Sequence, residues 1–271
     1  MEQAEVSDTA HRHAPRWVAP VLADFEMMGR TIVTVSEIAA ALGAATSSRR
    51  TRNAVQELVS LGWLRPLPSK GTYEFLPARG GPWSAGDPLT EARAALVRRP
   101  DFRMAIVGTG AAFLRGFSER PPARYSVAID RDQGGSVALT HAYQTVKTTG
   151  KRLEAVPIMD GVPVSDAPRL LADAALWPEV CGDLRSVDHW LGRSLQATDA
   201  STADTLTTSL GTAVAARMAY LAGCFQAPDV AAAIRSTLHG RARTTIGGPR
   251  APIVRRDAGL GVDDRVGVAT R

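Results

Sequence analysis

Residues 15–80 contain three short helical segments that are each closed by a turn signal, and this spacing constrains the fold more than any other feature. Apolar residues at helical spacing predict a first helix over about residues 15–29. Thr34 and Glu37 have the spacing of a capping box, in which each side chain accepts the other's backbone N–H, so a second helix begins there. Gly43 ends it, because glycine adopts left-handed backbone without strain. The apolar positions expected to be buried by the first helix are Trp17, Val18, Val21, Leu22, Phe25 and Met28.

A third helix follows this turn. Its start can be capped by one of three hydroxyl residues, Thr46, Ser47 or Ser48. One of its faces is apolar, and the opposite face holds Arg49, Arg50, Arg52, Asn53 and Gln56. A strand, a tight turn that includes Lys70 and a second strand come next, over residues 63–76. The order helix, strand, helix, turn, helix and hairpin predicts a winged helix-turn-helix over residues 15–80.

The polar face of the third helix has the chemistry that reads double-stranded DNA. An α-helix fits into the major groove, where arginine pairs with guanine and asparagine with adenine through two hydrogen bonds each. Backbone N–H groups at a helix start suit a phosphate, and Lys70 is expected to touch the DNA backbone without reading sequence. The predicted DNA-binding residues are Thr46, Ser47, Ser48, Arg49, Arg50, Arg52, Asn53, Gln56 and Lys70.

The distribution of charge supports this assignment. Residues 49–79 hold six basic residues and two acidic ones, so most of the chain's net charge of +5 is concentrated there. A charged helix face is more often simply solvated, and winged helices also serve as protein-interaction modules. We favour DNA binding because the charge coincides with the predicted order of elements.

The rest of the chain is predicted to form a larger second domain. Residues 1–14 are polar and are expected to be a flexible leader. Glycine and proline are concentrated in residues 77–88, and we place a linker at residues 81–90. Residues 91–271 alternate helical and strand patterns and end in a flexible tail rich in glycine, arginine and proline. The predicted fold class is therefore α/β of the α+β kind, with a small N-terminal winged helix and a larger mixed domain.

Several classes of protein are disfavoured. Cys181 and Cys224 are far apart, and neither has metal-ligand spacing with any of the five histidines, so we expect a reduced, cytoplasmic protein without a bound metal. The N-terminus is acidic and lacks the apolar segment of a signal peptide. The apolar stretches are too short to cross a bilayer, so no membrane partner is expected.

Residues 104–113 resemble the start of a dinucleotide-binding unit, with Gly108 and Gly110 after a strand and Asp130 at the end of the next. Phe113 stands at the third glycine position, where its ring obstructs the packing of helix on strand. We interpret the segment as a structural turn and expect no cofactor and no enzyme. Outside this segment we expect Asp166 to be a helix N-terminal charge, Asp173 a surface group and His189 a hydrogen-bonded structural residue.

Four segments of the second domain carry a resemblance to one family, and we call them the landmark segments. Residues 109–117 form a short alanine-rich helix before a glycine, and residues 126–129 form a strand. Residues 163–173 have a Val-Ser, Pro-Arg, Leu-Asp pattern, and residues 216–221 are similar to an Arg-Leu-Gly-Tyr-Leu run. Together with the preceding winged helix, this order resembles the AbiEi-type antitoxins, which are transcriptional regulators of bacterial type IV toxin–antitoxin systems.

The resemblance implies a repressor that binds inverted repeats in its own promoter. It also implies that the second domain neutralises a cognate nucleotidyltransferase-like toxin, directly or indirectly. Two alternatives stay open: a ligand-responsive winged-helix transcription factor, and a nucleotide-binding enzyme that uses residues 108–130.

Overall fold

A computed structural model describes residues 13–80, 86–135, 137–186, 188–202, 207, 210–238 and 243–270. The chain divides into two compact units, residues 1–100 and residues 101–271. Both units combine helices with strands, so the predicted mixed α/β class is confirmed. None of the helices in these segments has the length and apolar character needed to cross a membrane. Most of the predicted leader and the first half of the predicted linker lie outside the described residues.

The elements of the first unit follow the predicted order. They are α1 (Ala19–Met27), β1 (Ile32–Thr34), α2 (Val35–Ala41), α3 (Arg49–Ser60), β2 (Leu64–Pro66), β3 (Thr72–Phe75) and α4 (Thr90–Arg98). The three strands form one antiparallel sheet in the order β1-β3-β2. The hairpin β2–β3 thus lies beside the strand that leads into α2.

The local stop and start signals of the sequence are present in the structure. Thr34 Oγ1 accepts the N–H of Glu37 at 3.2 Å, and Glu37 Oε2 accepts the N–H of Thr34 at 2.8 Å, so the capping box is confirmed. Gly43 has a φ of +59°, as expected for the residue that ends α2. Both signals act within one turn of helix, which is why the sequence alone predicted them.

In the core of the first unit, one face each of α1, α2 and α3 packs against the sheet. Phe25 and Phe75 meet edge to face with ring centroids 5.6 Å apart. The prediction that Trp17 and Met28 would be buried was wrong, with 41% and 61% of their surface exposed. At about 100° per residue, both lie at the edge of the buried stripe of α1 and not at its centre. Other members of this core are Val21, Leu22, Val33, Ile38, Val55, Leu58, Trp63 and Leu64.

Helix α4 extends the first unit beyond the predicted linker. Ala94 packs with Ile32 and Leu67 in a small buried cluster, and α4 contacts β1 and β3. Residues 91–98, which the sequence analysis placed in the second domain, therefore belong to the first unit. The alanine-rich pattern of this helix gave no indication of which core it joins.

The second unit combines several helices with three small sheets among its described residues. The first sheet has the order β4-β5-β6, with β4 antiparallel and β6 parallel to β5. A two-stranded sheet β7-β8 and a sheet of order β10-β11-β9 follow. The strands are β4 (Met104–Val107), β5 (Ser126–Asp130), β6 (Gln144–Thr148), β7 (Ile158–Met159), β8 (Val162–Pro163), β9 (Thr244–Ile246), β10 (Arg255–Asp257) and β11 (Val262–Asp264). The helices are α5 (Gly108–Leu114), α6 (Val137–Ala142), α7 (Ala167–Leu176), α8 (Trp190–Gln196), α9 (Thr212–Cys224) and α10 (Pro228–Ser236).

Helix α7 lies at the centre of this unit and contacts α5, α8 and α9. Eight of its ten residues are buried, including Leu170 and Leu171. A second anchor is Asp264, which is fully buried and accepts the Tyr220 hydroxyl at 2.9 Å together with three backbone N–H groups of residues 266–268. These hydrogen bonds fix the last residues of the chain to α9.

Two glycines at the ends of α5 allow a direct test of this packing. Gly108 has a φ of +60°, and a Cβ built there would lie 2.4 Å from the carbonyl oxygen of Val180. Gly116 has a φ of +79° and no atom within 4 Å of such a Cβ. We expect Gly108→Ala to lower the free energy of unfolding of this unit by about 3 kcal/mol, through both backbone strain and overpacking.

The matched variant Gly116→Ala carries only the backbone strain, so we expect a loss of about 1 kcal/mol. Urea denaturation followed by circular dichroism gives both values. Equal losses in the two variants would contradict the close approach of Gly108 to Val180.

Candidate nucleic-acid interface

Helix α3 has two opposite faces of different character. Its buried residues are Thr51, Ala54, Val55 and Leu58. At about 100° per residue, Arg49, Arg52, Asn53 and Gln56 form a stripe on the side opposite these four, and all are exposed. Arg50 is also exposed but lies on the flank of this stripe, on the same side as Glu57. The structure therefore separates Arg50 from the other polar residues that the sequence analysis grouped with it.

The turn before α3 is held by the side chain of Thr51, which is fully buried. Its hydroxyl donates to the carbonyl of Ala45 at 2.9 Å, and its N–H donates to the hydroxyl of Ser48 at 3.1 Å. A buried hydroxyl without a partner costs about 1–3 kcal/mol, so this pairing favours a single geometry of the turn. The apolar face on which Thr51 lies was predicted, but its hydrogen bonds to the turn were not.

Ser48 is the N-cap residue of α3. Its oxygen is 3.0 Å from Thr51 Oγ1, and because the Thr51 proton goes to Ala45, Ser48 is the donor of that bond. The Ser48 proton is thus used within the chain, and Ser48 is the one of the three predicted hydroxyl residues that caps α3. Thr46 and Ser47 are exposed, as a DNA-binding role would require.

Arg52 folds back on the turn. Its Nη1 donates to the carbonyl oxygen of Ser47 at 3.0 Å. This bond joins the first turn of α3 to the residue before its cap. This bond could not be predicted, since a free arginine and a tethered one have the same spacing on a helix.

The start of α3 has unused positive groups. Among the described residues, no carboxylate lies within 4 Å of the guanidinium groups of Arg49 or Arg50. No acceptor within these same segments is bound to the backbone N–H of either residue. Two guanidinium groups and two N–H groups thus coincide at the positive end of the helix dipole, which favours an anion.

The hairpin carries less free charge than its composition suggests. Arg65 and Glu74 face each other across β2 and β3, with 2.7 Å between Nη2 and Oε2. Lys70 is exposed in the turn of the hairpin. The neighbouring Gly71 carbonyl accepts the N–H of Val35 at 3.0 Å, which ties this turn to the start of α2. Of the hairpin cations, Lys70 is therefore the one left for an external anion.

A solved crystal structure resembles the chain over nearly its whole length. No protein-family model matches the chain, and no curated protein does. The RV2827C protein from Mycobacterium tuberculosis has a crystal structure that aligns with a TM-score of 0.73, at 21% identity, over 96% of this chain and 94% of that one. Both units therefore have a counterpart in a known fold. At this identity the likeness extends to the fold and carries no functional assignment.

The segment around Gly108 does not have the geometry of a dinucleotide site. That motif needs parallel strands joined by a helix, whereas β4 and β5 are antiparallel. The N–H of Gly108 donates at 3.0 Å to Oδ2 of Asp173, so a carboxylate of the chain itself already occupies the start of α5. Residues 108–130 therefore lack the phosphate-binding turn that the enzyme alternative required.

Asp173 was expected at the surface, and that prediction was wrong. The residue lies on the buried side of α7, with 5% of its surface exposed. Burial raises the pKa of its carboxyl to about 7, although hydrogen bonds from Gly108 and Ser165 act in the opposite direction. Asp166, by contrast, caps α7 by accepting the N–H of Arg169 at 3.3 Å, as expected.

His189 is a structural residue, as expected. Its Nδ1 accepts the N–H of Leu191 at 3.1 Å, which leaves Nε2 to donate to the carbonyl of Cys181 at 2.7 Å. Burial lowers the pKa of the ring and favours this neutral form. Both nitrogens are used, so His189 has no position left for acid–base chemistry.

Stability should fall as the pH rises across the range where Asp173 titrates. The folded state holds a proton up to about pH 7, whereas the unfolded carboxyl loses it near pH 4. The Asp173 carboxyl makes its full contribution to the free energy of unfolding below pH 4. This contribution, on the order of 4 kcal/mol, is lost by pH 7. Urea denaturation of the wild type at several pH values measures this slope.

Asp173→Asn keeps an acceptor for Gly108 and removes the ionisation, so its stability should change much less between pH 4 and 7. The control is Asp229→Asn, which alters an exposed carboxyl of the same unit and should retain the wild-type slope. An unchanged slope in Asp173→Asn would assign the titration to another group.

Proposed function

We propose that the first unit is a winged helix-turn-helix that binds double-stranded DNA and represses the promoter of its own operon. The observation that carries this proposal is the exposed stripe of Arg49, Arg52, Asn53 and Gln56 on α3, directly opposite the buried face. Only this geometry lets a helix keep its packing and present base-reading side chains to a groove. A protein-binding face would more often include apolar residues at its centre.

Groups that can bind phosphate support the same proposal. The N–H groups at the start of α3 and the guanidinium group of Arg50 favour an anion, and Lys70 adds a cation on the hairpin. A helix in the major groove has phosphates beside both its N-terminus and the adjacent wing. Contacts of this kind orient the protein on the duplex without selecting sequence.

Replacement of Arg49, Arg50 and Arg52 with alanine should weaken binding to promoter DNA at least about a hundredfold, because it removes both base and phosphate contacts. Lys70→Ala should weaken binding to every sequence alike and lower the slope of log K against log salt by about one unit. Fluorescence anisotropy with labelled promoter duplex at several salt concentrations measures both effects.

Arg98→Ala is the matched control, since Arg98 is exposed on α4 of the same unit and lies outside the proposed interface. Its affinity should stay within about twofold of the wild type. Wild-type affinity in the triple variant would overturn the DNA-binding proposal.

For the second unit we propose that it counters a nucleotidyltransferase-like toxin encoded in the same operon. The support is the resemblance of the four landmark segments to AbiEi-type antitoxins, together with their common location. Residues 109–117 and 163–173 are joined by Arg115, whose Nη2 donates to the Val164 carbonyl at 2.8 Å. Gly108, directly before the first of these segments, donates its N–H to Asp173 in the second. Helix α9, which includes residues 216–221, packs on α7. The landmark segments therefore lie in one core.

A ligand-responsive second unit is the alternative candidate, and one observation favours it. An open groove of about 740 Å³ lies between the start of α5 and the start of α8, with Thr109, Arg120, Asp188 and Arg193 in its lining. Arg193 is already paired with Glu119 at 3.1 Å and bound to the Phe117 carbonyl. Because its charge is satisfied within the chain, we rank this alternative second.

Co-expression with the adjacent gene separates the two functions. The wild type should restore growth against the toxin and lower promoter activity, because the proposal assigns repression to the first unit and neutralisation to the second. The triple variant of Arg49, Arg50 and Arg52 should still restore growth but lose repression. Growth curves and a promoter–reporter fusion provide the two measurements. No rescue by a soluble wild type would overturn the antitoxin proposal and favour a ligand-responsive regulator.

A further inference from the structure

The exposed residues of α3 differ in whether the chain itself already uses them. Within the described residues, Arg49, Asn53 and Gln56 have no side-chain hydrogen bond. Arg52, on the same stripe, donates to the Ser47 carbonyl. This difference cannot be inferred from the spacing of the residues, and it divides the stripe into free and tethered members.

We propose that Arg49 and Asn53 are the specificity-determining pair of the DNA interface and that Thr51 and Arg52 are positioning residues. This inference rests on the proposed function. Thr51 holds the turn through Ala45, and Arg52 holds it through Ser47. Both bonds fix the start of α3, and therefore the height and rotation at which Arg49 enters the groove.

The spacing of the free pair determines which bases the operator contains. Four residues of helix advance 6 Å along the axis, at about 1.5 Å per residue, and successive bases on one strand are about 3.4 Å apart. Arg49 and Asn53 therefore reach bases no more than about two base-pair steps apart. Arginine selects guanine and asparagine selects adenine through two hydrogen bonds each. Each half-site of the operator is thus expected to hold a guanine and an adenine within two steps of each other.

Arg50 and Arg52 contribute differently. Arg50 lies on the flank with Glu57, so its charge faces the groove wall and not the base edges. Arg52 keeps further donors after its bond to Ser47, and these suit a phosphate next to the turn. Loss of Arg50 should lower the affinity for all duplexes by a similar factor, whereas loss of Arg52 should also reduce the margin by which the preferred sequence is bound. Their substitution should leave the preferred sequence unchanged.

Selection from a duplex library with a randomised 20-base-pair region tests the assignment, using the full chain and its variants. The wild type should enrich a motif with guanine and adenine within two steps. Arg49→Ala should lose the guanine preference and Asn53→Ala the adenine preference, each by about tenfold or more, while the other positions of the motif persist. Arg52→Ala should enrich the wild-type motif with weaker binding overall.

Thr51→Val tests the positioning role, because valine keeps the size of the side chain and removes its hydroxyl. It should weaken binding to the selected duplex more than to a scrambled duplex, because Arg49 loses its fixed position over the bases while the phosphate contacts persist. Thr51→Ser should restore both affinities. Circular dichroism shows whether each variant is folded. Thr51→Ser, which keeps the hydroxyl, is the folded variant with which the affinity of Thr51→Val is compared.

The outcomes separate this inference from the proposed function. If the folded wild type enriches no sequence and retards no duplex, the DNA-binding proposal fails. If it enriches a motif that Arg49→Ala and Asn53→Ala enrich unchanged, DNA binding stands and the assignment of these two residues is wrong. A changed base preference in Arg52→Ala would make Arg52 a base-reading residue.

Discussion

The hydrogen bond from the buried Thr51 hydroxyl to the Ala45 carbonyl is the constraint on which the candidate interface depends. Thr51 is on the face of α3 that packs into the core, and its side chain reaches back six residues to the turn. The same residue therefore fixes the rotation of the helix about its axis and the path of the chain that enters it. This buried contact therefore determines which way the exposed stripe of α3 faces.

The second unit is organised in a similar way around α7. Asp173 projects from this helix to the first N–H of α5, and the Val180 carbonyl closes the space beside Gly108. A strand–glycine–helix segment that resembled a nucleotide site is thus filled by the chain's own carboxylate and backbone. The landmark segments meet in this core, so their spacing reflects packing among α5, α7 and α9.

A basic residue of this protein indicates a site for a polyanion only when its own partners in the structure are known. The six basic residues between positions 49 and 79 are alike in the sequence. In the structure, Arg65 is neutralised by Glu74 and Arg52 is tethered to Ser47. Arg49, Arg50 and Lys70 have no carboxylate partner among the described residues. Of these cations, Arg65 is thus the one paired with a carboxylate in the described part of the chain, whereas Arg49 and Arg50, at the start of one helix, remain available to a polyanion.

The sequence by itself determined the features that arise within one or two helical turns. These include the capping box of Thr34 and Glu37, the left-handed Gly43 and the amphipathic division of α3. The tertiary structure decided the burial of Asp173 against Gly108, 65 residues away, the antiparallel pairing of β4 with β5 and the inclusion of α4 in the first unit. The physical reason is that local signals depend on backbone geometry between near neighbours. Strand direction, burial and charge pairing depend on which distant segment supplies the other half of the contact. The spacing of apolar residues along the sequence does not indicate which segment that is.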